Sequence, residues 1–277
     1  MNVEDTVAAH YTSGALTESI MSALAELGVD VSAPKPGDLK PVDEFHTGGH
    51  EATEALLAQL SITPETSVLD IGSGIGGTAR LIAERFACAV IGVDLTPEFV
   101  ETATELSNLA GLGHRTGFRV GSALSLPVAD GGADLALMLH VGMNIADKAA
   151  LMREAARVLR PGGHFAVFDV MAGTEPGDLD FPVPWSSVAE TSFIAAPAAY
   201  AEAAREAGFD QASMRDRTAF AEDFFSRVKA IIAEKGPPPL GIHLLMGETA
   251  GLKIENYLTN LTARKIAPTE MIFRKNE

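Results

Sequence analysis

The stretch Val68-Leu-Asp-Ile-Gly-Ser-Gly-Ile-Gly-Gly-Thr78 constrains the fold of this chain more than any other. An apolar run ends in glycines and passes straight into a helical pattern, so a buried strand has to turn sharply into a helix. Glycines at 72, 74 and 76 let the backbone adopt left-handed angles and approach a ligand with no side chain between, while the helix start beyond offers unbonded N–H groups. Gly72, Gly74 and Gly77 also satisfy G-x-G-x-x-G, which makes a nicotinamide or flavin dinucleotide a candidate on spacing alone.

From Ser67 onward, short and nearly continuous apolar runs alternate with amphipathic helices, as in a parallel sheet covered on both faces. The pattern predicts strands over residues 67–71, 88–93, 118–120, 134–139 and 164–170, another near Phe209 and a closing strand over 270–275. Helical stripes lie between them. Ile75, Ala79, Ile82 and Phe86 form one; Phe99, Ala103, Leu106 and Ala110 form another behind Thr96-Pro97; Leu151, Ala155 and Val158 form a third, begun at Asp147 and stopped by Pro161-Gly-Gly163. The expected fold is α/β, a Rossmann-like doubly wound, mostly parallel seven-stranded sheet with N-terminal helices and a helical lid insertion.

Residues 1–60 read as an N-terminal helical cap. Leu16, Ile20, Ala23, Leu24 and Leu27 keep helical spacing up to Gly28, a left-handed cap; prolines 34, 36 and 41 make residues 29–41 an exposed linker, and a second helix covers 49–60. Residues 61–277 form the main domain, with lid segments at 171–195 and 218–263.

Composition narrows the partners. With 37 acidic against 21 basic side chains, a net charge of −16 and no basic cluster, nucleic acid is excluded as the main partner. The single cysteine, Cys88, forms no internal disulfide and reads as core, and the first residues lack the basic and apolar regions of a secretion signal, so a cytoplasmic setting is expected. No apolar run is long enough to span a membrane. Nothing in the sequence fixes an oligomeric state.

Two carboxylates sharpen the ligand. Asp94 ends the second strand about twenty residues beyond Gly72, where an acid accepts from both hydroxyls of a ribose. Asp70 lies inside the first strand, where a buried carboxylate would repel a pyrophosphate and suits a ligand with positive charge.

Asp70-Ile-Gly-Ser-Gly-Ile-Gly, Asp94 in Gly-Val-Asp-Leu-Thr-Pro, Leu126-Pro-Val-Ala-Asp-Gly-Gly-Ala-Asp134 and Leu159-Arg-Pro-Gly-Gly163 together resemble the ordered motifs of class I S-adenosylmethionine-dependent methyltransferases. The flanks, His46-Thr-Gly-Gly49 and residues 181–193, are similar to small-molecule enzymes of the sarcosine/dimethylglycine and ubiquinone-biosynthesis groups. The resemblance implies S-adenosylmethionine as cofactor, held by Asp70, Gly72, Gly74, Gly76 and Asp94, with Leu95 on the adenine, Ser122 and Ala123 at its edge, and Leu139 and Tyr11 alongside. Ser122 stands where many family members carry an Asp that accepts from the adenine amino group. The implied partner is a small-molecule methyl acceptor, with an amine nitrogen of sarcosine/dimethylglycine type favoured and oxygen or carbon of a quinone, isoprenoid or other natural product as the rival. A nicotinamide-dependent oxidoreductase shares the fold and the glycines, but Asp70 and a closing strand after the sixth count against it.

The end of the fourth strand, Leu139-His140-Val-Gly-Met-Asn144, opens at the carboxyl edge of the sheet, where ligands sit in this architecture. His140 is the candidate catalytic base, against the alternative of a histidine satisfied by local backbone. His46, Asn144 and Trp185 are the candidate acceptor contacts, and Phe45, Phe193, Phe224, Phe225 and Leu244 are expected to help shape a dry pocket. His46 and His50 are separated by glycines and do not form H-E-x-x-H, so no metal is expected. There is no G-x-S-x-G and no Walker lysine, which removes the usual support for a serine hydrolase or a P-loop enzyme.

Overall fold

A computed structural model describes residues 3–175 and 177–277, so Pro176 of the expected lid segment lies outside the described residues. Seven strands, β1 (Ser67–Ile71), β2 (Ala89–Asp94), β3 (Thr116–Val120), β4 (Ala133–Leu139), β5 (Leu159–Ala172), β6 (Phe209–Asp216) and β7 (Ile266–Lys275), form one sheet in the order β3-β2-β1-β4-β5-β7-β6. All neighbours are parallel except β7, which runs antiparallel between β5 and β6. The predicted sheet is therefore present, and its closing strand inserts between the fifth and sixth.

Side-chain alternation along the strands sorts the core onto two faces. Leu69, Ile71, Met138, Phe165 and Val167 pack against α7 (Lys148–Val158) and α8 (Pro197–Glu206); Val68, Leu137, Leu139, Ala166 and Phe168 pack against α4 (Gly49–Leu57) and α5 (Gly77–Phe86). Strand order reverses between β1 and β4, and a crevice opens outside their carboxyl ends.

The N-terminal region contains more helix than its composition suggests. Besides α2 (Leu16–Glu26), whose end is closed by Gly28 at φ +75° and a Val29 N–H to Leu24 carbonyl bond of 3.0 Å, it holds α1 (Val3–Tyr11) and α3 (Pro36–Asp43). The linker expected over 29–41 is thus partly helical. Pro36 occupies the first helical position, where its missing N–H costs nothing, and Leu39 and Val42 point into the core with no exposure. A second departure concerns Pro161-Gly-Gly163, expected as a stop before strand five. Leu159 already pairs with Ala133, and the register jumps to Leu135 opposite His164, so these residues form an irregularity inside β5.

The remaining helices are α6 (Pro97–Leu109), which packs on β2 and β3, and α9 (Thr218–Lys235), α10 (His243–Met246) and α11 (Ala250–Thr262), inserted between β6 and β7. Leu240 and Leu245 of this insertion share a buried cluster with Leu16, Ile20, Leu24, Leu39 and Val42, above Ile75 and Phe99 of the main domain. No helix among the described residues is long and apolar enough to cross a membrane.

Candidate functional site

A cavity of about 300 Å³ lies at the carboxyl ends of β1, β2 and β4. Its floor is the glycine turn. Gly72, at φ +73°, passes so close to Val141 that a Cβ there would lie 2.2 Å from a valine methyl, whereas a Cβ on Gly74 would meet no protein atom within 4 Å. The Gly72 and Ser73 amides both donate to the Val93 carbonyl, at 2.7 and 3.1 Å, which ties the turn to the end of β2. Asp94 completes that tie: one carboxylate oxygen accepts the Gly74 N–H and the other the Thr96 N–H, each at 2.8 Å. Burial raises the pKa of Asp94 against these bonds.

Asp70 differs. It is 2% exposed, lines the cavity, and its Oδ2 has no hydrogen-bond partner; Ser73 Oγ, in the glycine turn, is likewise unsatisfied. Burial, followed by the charges of Glu44 and Asp94, pushes the Asp70 carboxyl up to about 8. Two orphaned polar groups on one wall call for a ligand with donors, and a cationic one relieves the carboxyl most.

Another part of the wall is built by the segment between α3 and α4. Asp43 ends α3 and pairs with the guanidinium of Arg80, itself buried in α5. This approach depends on Gly77, since a Cβ there would sit 2.1 Å from the Asp43 carbonyl oxygen. Burial lifts the Asp43 carboxyl to about 6 against the pull of Arg80. Glu44 is buried as well, but bonds from His46 Nε2 at 2.7 Å, Thr53 Oγ1 at 3.0 Å and Thr78 Oγ1 at 3.1 Å hold it below the ordinary range despite burial.

His140 follows β4 with φ +55°, an angle that turns its ring back toward the sheet. The Thr47 backbone N–H donates to Nε2 at 3.2 Å, so Nε2 carries no proton; Nδ1 therefore carries it and donates to the Phe168 carbonyl at 3.2 Å. Thr47 Oγ1 adds a 3.0 Å contact to Nε2 and sits 2.7 Å from the Tyr257 hydroxyl. Burial first, then the neighbouring His46, lowers the His140 pKa to about 3. This is a neutral, fully engaged ring, which matches the alternative of a locally satisfied histidine better than a poised base.

Of the residues singled out from sequence, Tyr11, His46, Asp70, Gly72, Gly74, Asp94, Leu95, Ser122, Ala123, Leu139, His140 and Asn144 all line the cavity. Gly76 and Trp185 do not. Gly76, at φ +83°, is the left-handed entry to α5, and a Cβ there would strike the Phe118 ring at 2.7 Å, so it serves packing. Trp185 is 2% exposed, edge-on to Tyr257 in a cluster with Val183 and Leu261, and its Nε1–H donates to Ser192 Oγ at 2.9 Å. Phe193, Phe224, Phe225 and Leu244 are also off the wall, whereas Phe45 lines it as expected, together with Phe99 and Leu245.

Asn144 joins three parts of the chain. Its Oδ1 accepts from the Tyr11 hydroxyl at 3.2 Å, and its Nδ2 donates to the carbonyls of Trp185 and Thr191 at 2.8 and 3.2 Å. Beneath it, buried Lys148 donates to the carbonyls of Gly142, Ile145 and Phe193, with its pKa lowered to about 8 by burial against the attraction of Asp169. Sequence reasoning missed Asp43, Glu44, Thr47, Lys148 and Tyr257. Only the run Asp43-Glu-Phe-His46, with three polar residues next to a glycine pair, carries a signal for some of them. Among the described residues, no group of three or more His, Cys, Asp or Glu is placed to hold a metal ion.

Residues 69–167 match the family model described as a methyltransferase domain. The chain is 33% identical over 138 residues to the methyltransferase GfsG of Streptomyces halstedii, a match covering 50% of this chain and 49% of that protein, so it spans about half of that relative's length. Over 193 residues it is 28% identical to the sarcosine/dimethylglycine N-methyltransferase of Halorhodospira halochloris, covering 69% of this chain and 68% of the relative. A Haemonchus contortus phosphoethanolamine N-methyltransferase, solved with phosphomonomethylethanolamine and S-adenosylhomocysteine, superposes with a TM-score of 0.75 at 18% identity, over 100% of this chain and 61% of the other, which establishes likeness of fold. Residues 69–167 thus carry a methyltransferase domain, and these likenesses support a class I S-adenosylmethionine-dependent methyltransferase of small molecules.

Proposed function

We propose that a chain built on this domain transfers a methyl group from S-adenosylmethionine to a small-molecule nucleophile, with an amine nitrogen as the reacting atom. One observation carries the reading: Asp70, a buried carboxyl with an unpartnered oxygen, stands on the cavity wall at the end of β1. The ammonium of the donor's amino-acid end satisfies it, and a dinucleotide pyrophosphate in the same place would add negative charge beside it.

Asp70 and Ser73 would take that ammonium end, and Gly74 leaves its space open to the ligand. Asp94, whose oxygens accept the Gly74 and Thr96 amides, would take the ribose hydroxyls. Leu95, Ser122 and Ala123 would border the adenine. Bound S-adenosylmethionine supplies an electrophilic methyl that an acceptor lone pair takes by in-line displacement, the C–S electrons returning to sulfur.

The protein's part is alignment in a dry chamber. Tyr11, Phe45 and Phe99, with ring centroids 6.1 and 5.7 Å from Tyr11, wall the cavity with Leu245 and limit the approach of the two reactants. His140 acts as a positioning residue, since its unprotonated nitrogen holds Thr47 and so fixes the loop carrying His46. An amine that enters as free base needs no protein base at the moment of transfer, and its proton passes to water afterwards.

The helical cap over residues 1–60 and the lid segments 171–195 and 218–263 belong to the proposal as cover for the site. The cluster shared by α2, α3, Leu240 and Leu245, and the stitching by Asn144, support that role. A cytoplasmic setting is supported by the lone, buried Cys88. The relatives' methyltransferase names support the chemistry. The test is release of S-adenosylhomocysteine from S-adenosylmethionine over a panel of amines, phenols, acids and isoprenoids. Release with amines upholds the reading; release with oxygen or carbon acceptors alone moves the reacting atom, and release with none overturns it.

A further inference from the structure

Among the described residues, five acids stand on the cavity wall, Glu4, Asp43, Asp70, Asp94 and Asp147, and four of them already have an occupation. Asp43 pairs with Arg80, Asp94 accepts the Gly74 and Thr96 amides at the place proposed for the ribose, and Asp147 caps α7 by accepting the Ala150 N–H at 2.7 Å. Asp70 faces the donor's ammonium in the methyl-transfer reading. Glu4 is left. It comes from the first turn of α1, yet its Oε1 accepts the hydroxyl of Ser122, 118 residues further along the chain and just beyond β3. Helix α1 has no buried residue, but Val3, Glu4, Val7 and Tyr11 share one face at helical spacing and all four line the cavity. The helix is held from its far end, where the Glu98 carboxylate accepts the Ser13 amide at 2.6 Å and the Leu16 amide at 3.0 Å, and by the bond from Tyr11 to Asn144. Attraction to the helix N-terminus would account for an acid in the first turn, but exposed Asp5 beside it meets that need without facing the cavity.

Resting on the methyl-transfer reading, we propose that Glu4 accepts a hydrogen bond from the exocyclic amino group of the donor's adenine, so that α1 reads the base. The Ser122 hydroxyl gives its proton to Glu4 Oε1 and accepts the Leu124 N–H at 3.0 Å, so the strongest acceptor at that place is the carboxylate and not the serine. Glu4 Oε2 then remains for an amino N–H. Leu95 and Ala123, on the same wall, supply apolar contact for the ring. Ser122 stands where many related enzymes carry an aspartate, and here it anchors an acid that the N-terminal helix brings to the same spot.

The experiment is titration calorimetry with S-adenosylhomocysteine and with its 6-desamino analogue, whose purine carries hydrogen in place of the amino group. A hydrogen bond to a charged group predicts that the wild-type chain prefers S-adenosylhomocysteine by ~10–100-fold. In Glu4→Ala the preference should shrink to about threefold or less. Ser122→Asp added to Glu4→Ala should restore most of it, because it returns a carboxylate to the same spot without repairing the helix. Equal binding of the two ligands by the wild type overturns the inference, as does a preference that Glu4→Ala leaves intact. A double variant as indifferent as Glu4→Ala would assign the loss to a displaced helix and overturn it as well. Absence of S-adenosylhomocysteine binding to the wild type overturns the methyl-transfer reading itself, whereas binding without preference overturns only the role of Glu4.

Discussion

Replacing Asp70 by asparagine removes an ionisable group that the ligand-free fold keeps protonated at a cost. Burial and the nearby carboxylates push this group from 3.8 to about 8. In the unfolded chain it ionises near the ordinary value, so between about pH 4 and pH 8 the unfolded state binds fewer protons than the folded one. Stability therefore falls as pH rises through that window. At ~1.36 kcal/mol per pH unit, the stretch up to pH 7 corresponds to about 4 kcal/mol, and water entering the cavity beside the carboxyl returns part of it. Asp70→Asn should be about 2 kcal/mol more stable than the parent at pH 7, a rise of roughly 4 °C in Tm for a chain of this size, and the gain should vanish toward pH 4. Thermal melts of both proteins by circular dichroism at pH 5, 6, 7 and 8 measure this. Taking the difference isolates Asp70 from Asp43 and Asp169, whose carboxyls are also raised, each to about 6. An asparagine variant less stable than the parent at pH 7, or a difference that does not change with pH, would refute the reasoning.

Asp94→Ala removes the acceptor of the Gly74 and Thr96 amides, so affinity for S-adenosylhomocysteine should fall by ~2–4 kcal/mol in calorimetry with the fold retained. The His140 ring should stay neutral in an NMR titration from pH 8 to pH 4, because its pKa is lowered to about 3. The unfolded state then binds more protons between about pH 3 and 6.5, so this residue subtracts stability as pH falls, and a pH–rate inflection near 6.5 that disappears in His140→Phe would contradict the assignment. Trp185→Ala should destabilise by ~3–5 kcal/mol while leaving cofactor affinity unchanged, since the ring is core; an unchanged Tm with a raised acceptor KM would place it at the site after all.

The parts of the fold that were legible in the sequence are those where backbone geometry leaves few options. Gly72 and Gly74 mark the turn because a side chain at the first would overlap Val141 and one at the second would project into the cavity. Asp70 and Asp94 were readable because a carboxylate at the end of a buried strand needs a reason to be there. Helix α3 was hidden by its own prolines: Pro36 is tolerated at the first position, Pro41 sits within the helix, and the pull of Leu39 and Val42 into the core outweighs both. Trp185 was misplaced because prolines on either side suggest a mobile cover, whereas Lys148, Asn144 and Asn256 fix the segment by donating to its carbonyls. The hydrogen bond from Thr47 to His140 joins residues far apart in sequence, and no local pattern announces it.

Titration calorimetry of the purified chain with S-adenosylhomocysteine and with NAD, side by side, tests the central claim most directly. The account predicts one-to-one binding of S-adenosylhomocysteine at micromolar concentrations, weakened in Asp94→Ala, and no heat with NAD. Binding of NAD with no response to S-adenosylhomocysteine would contradict it.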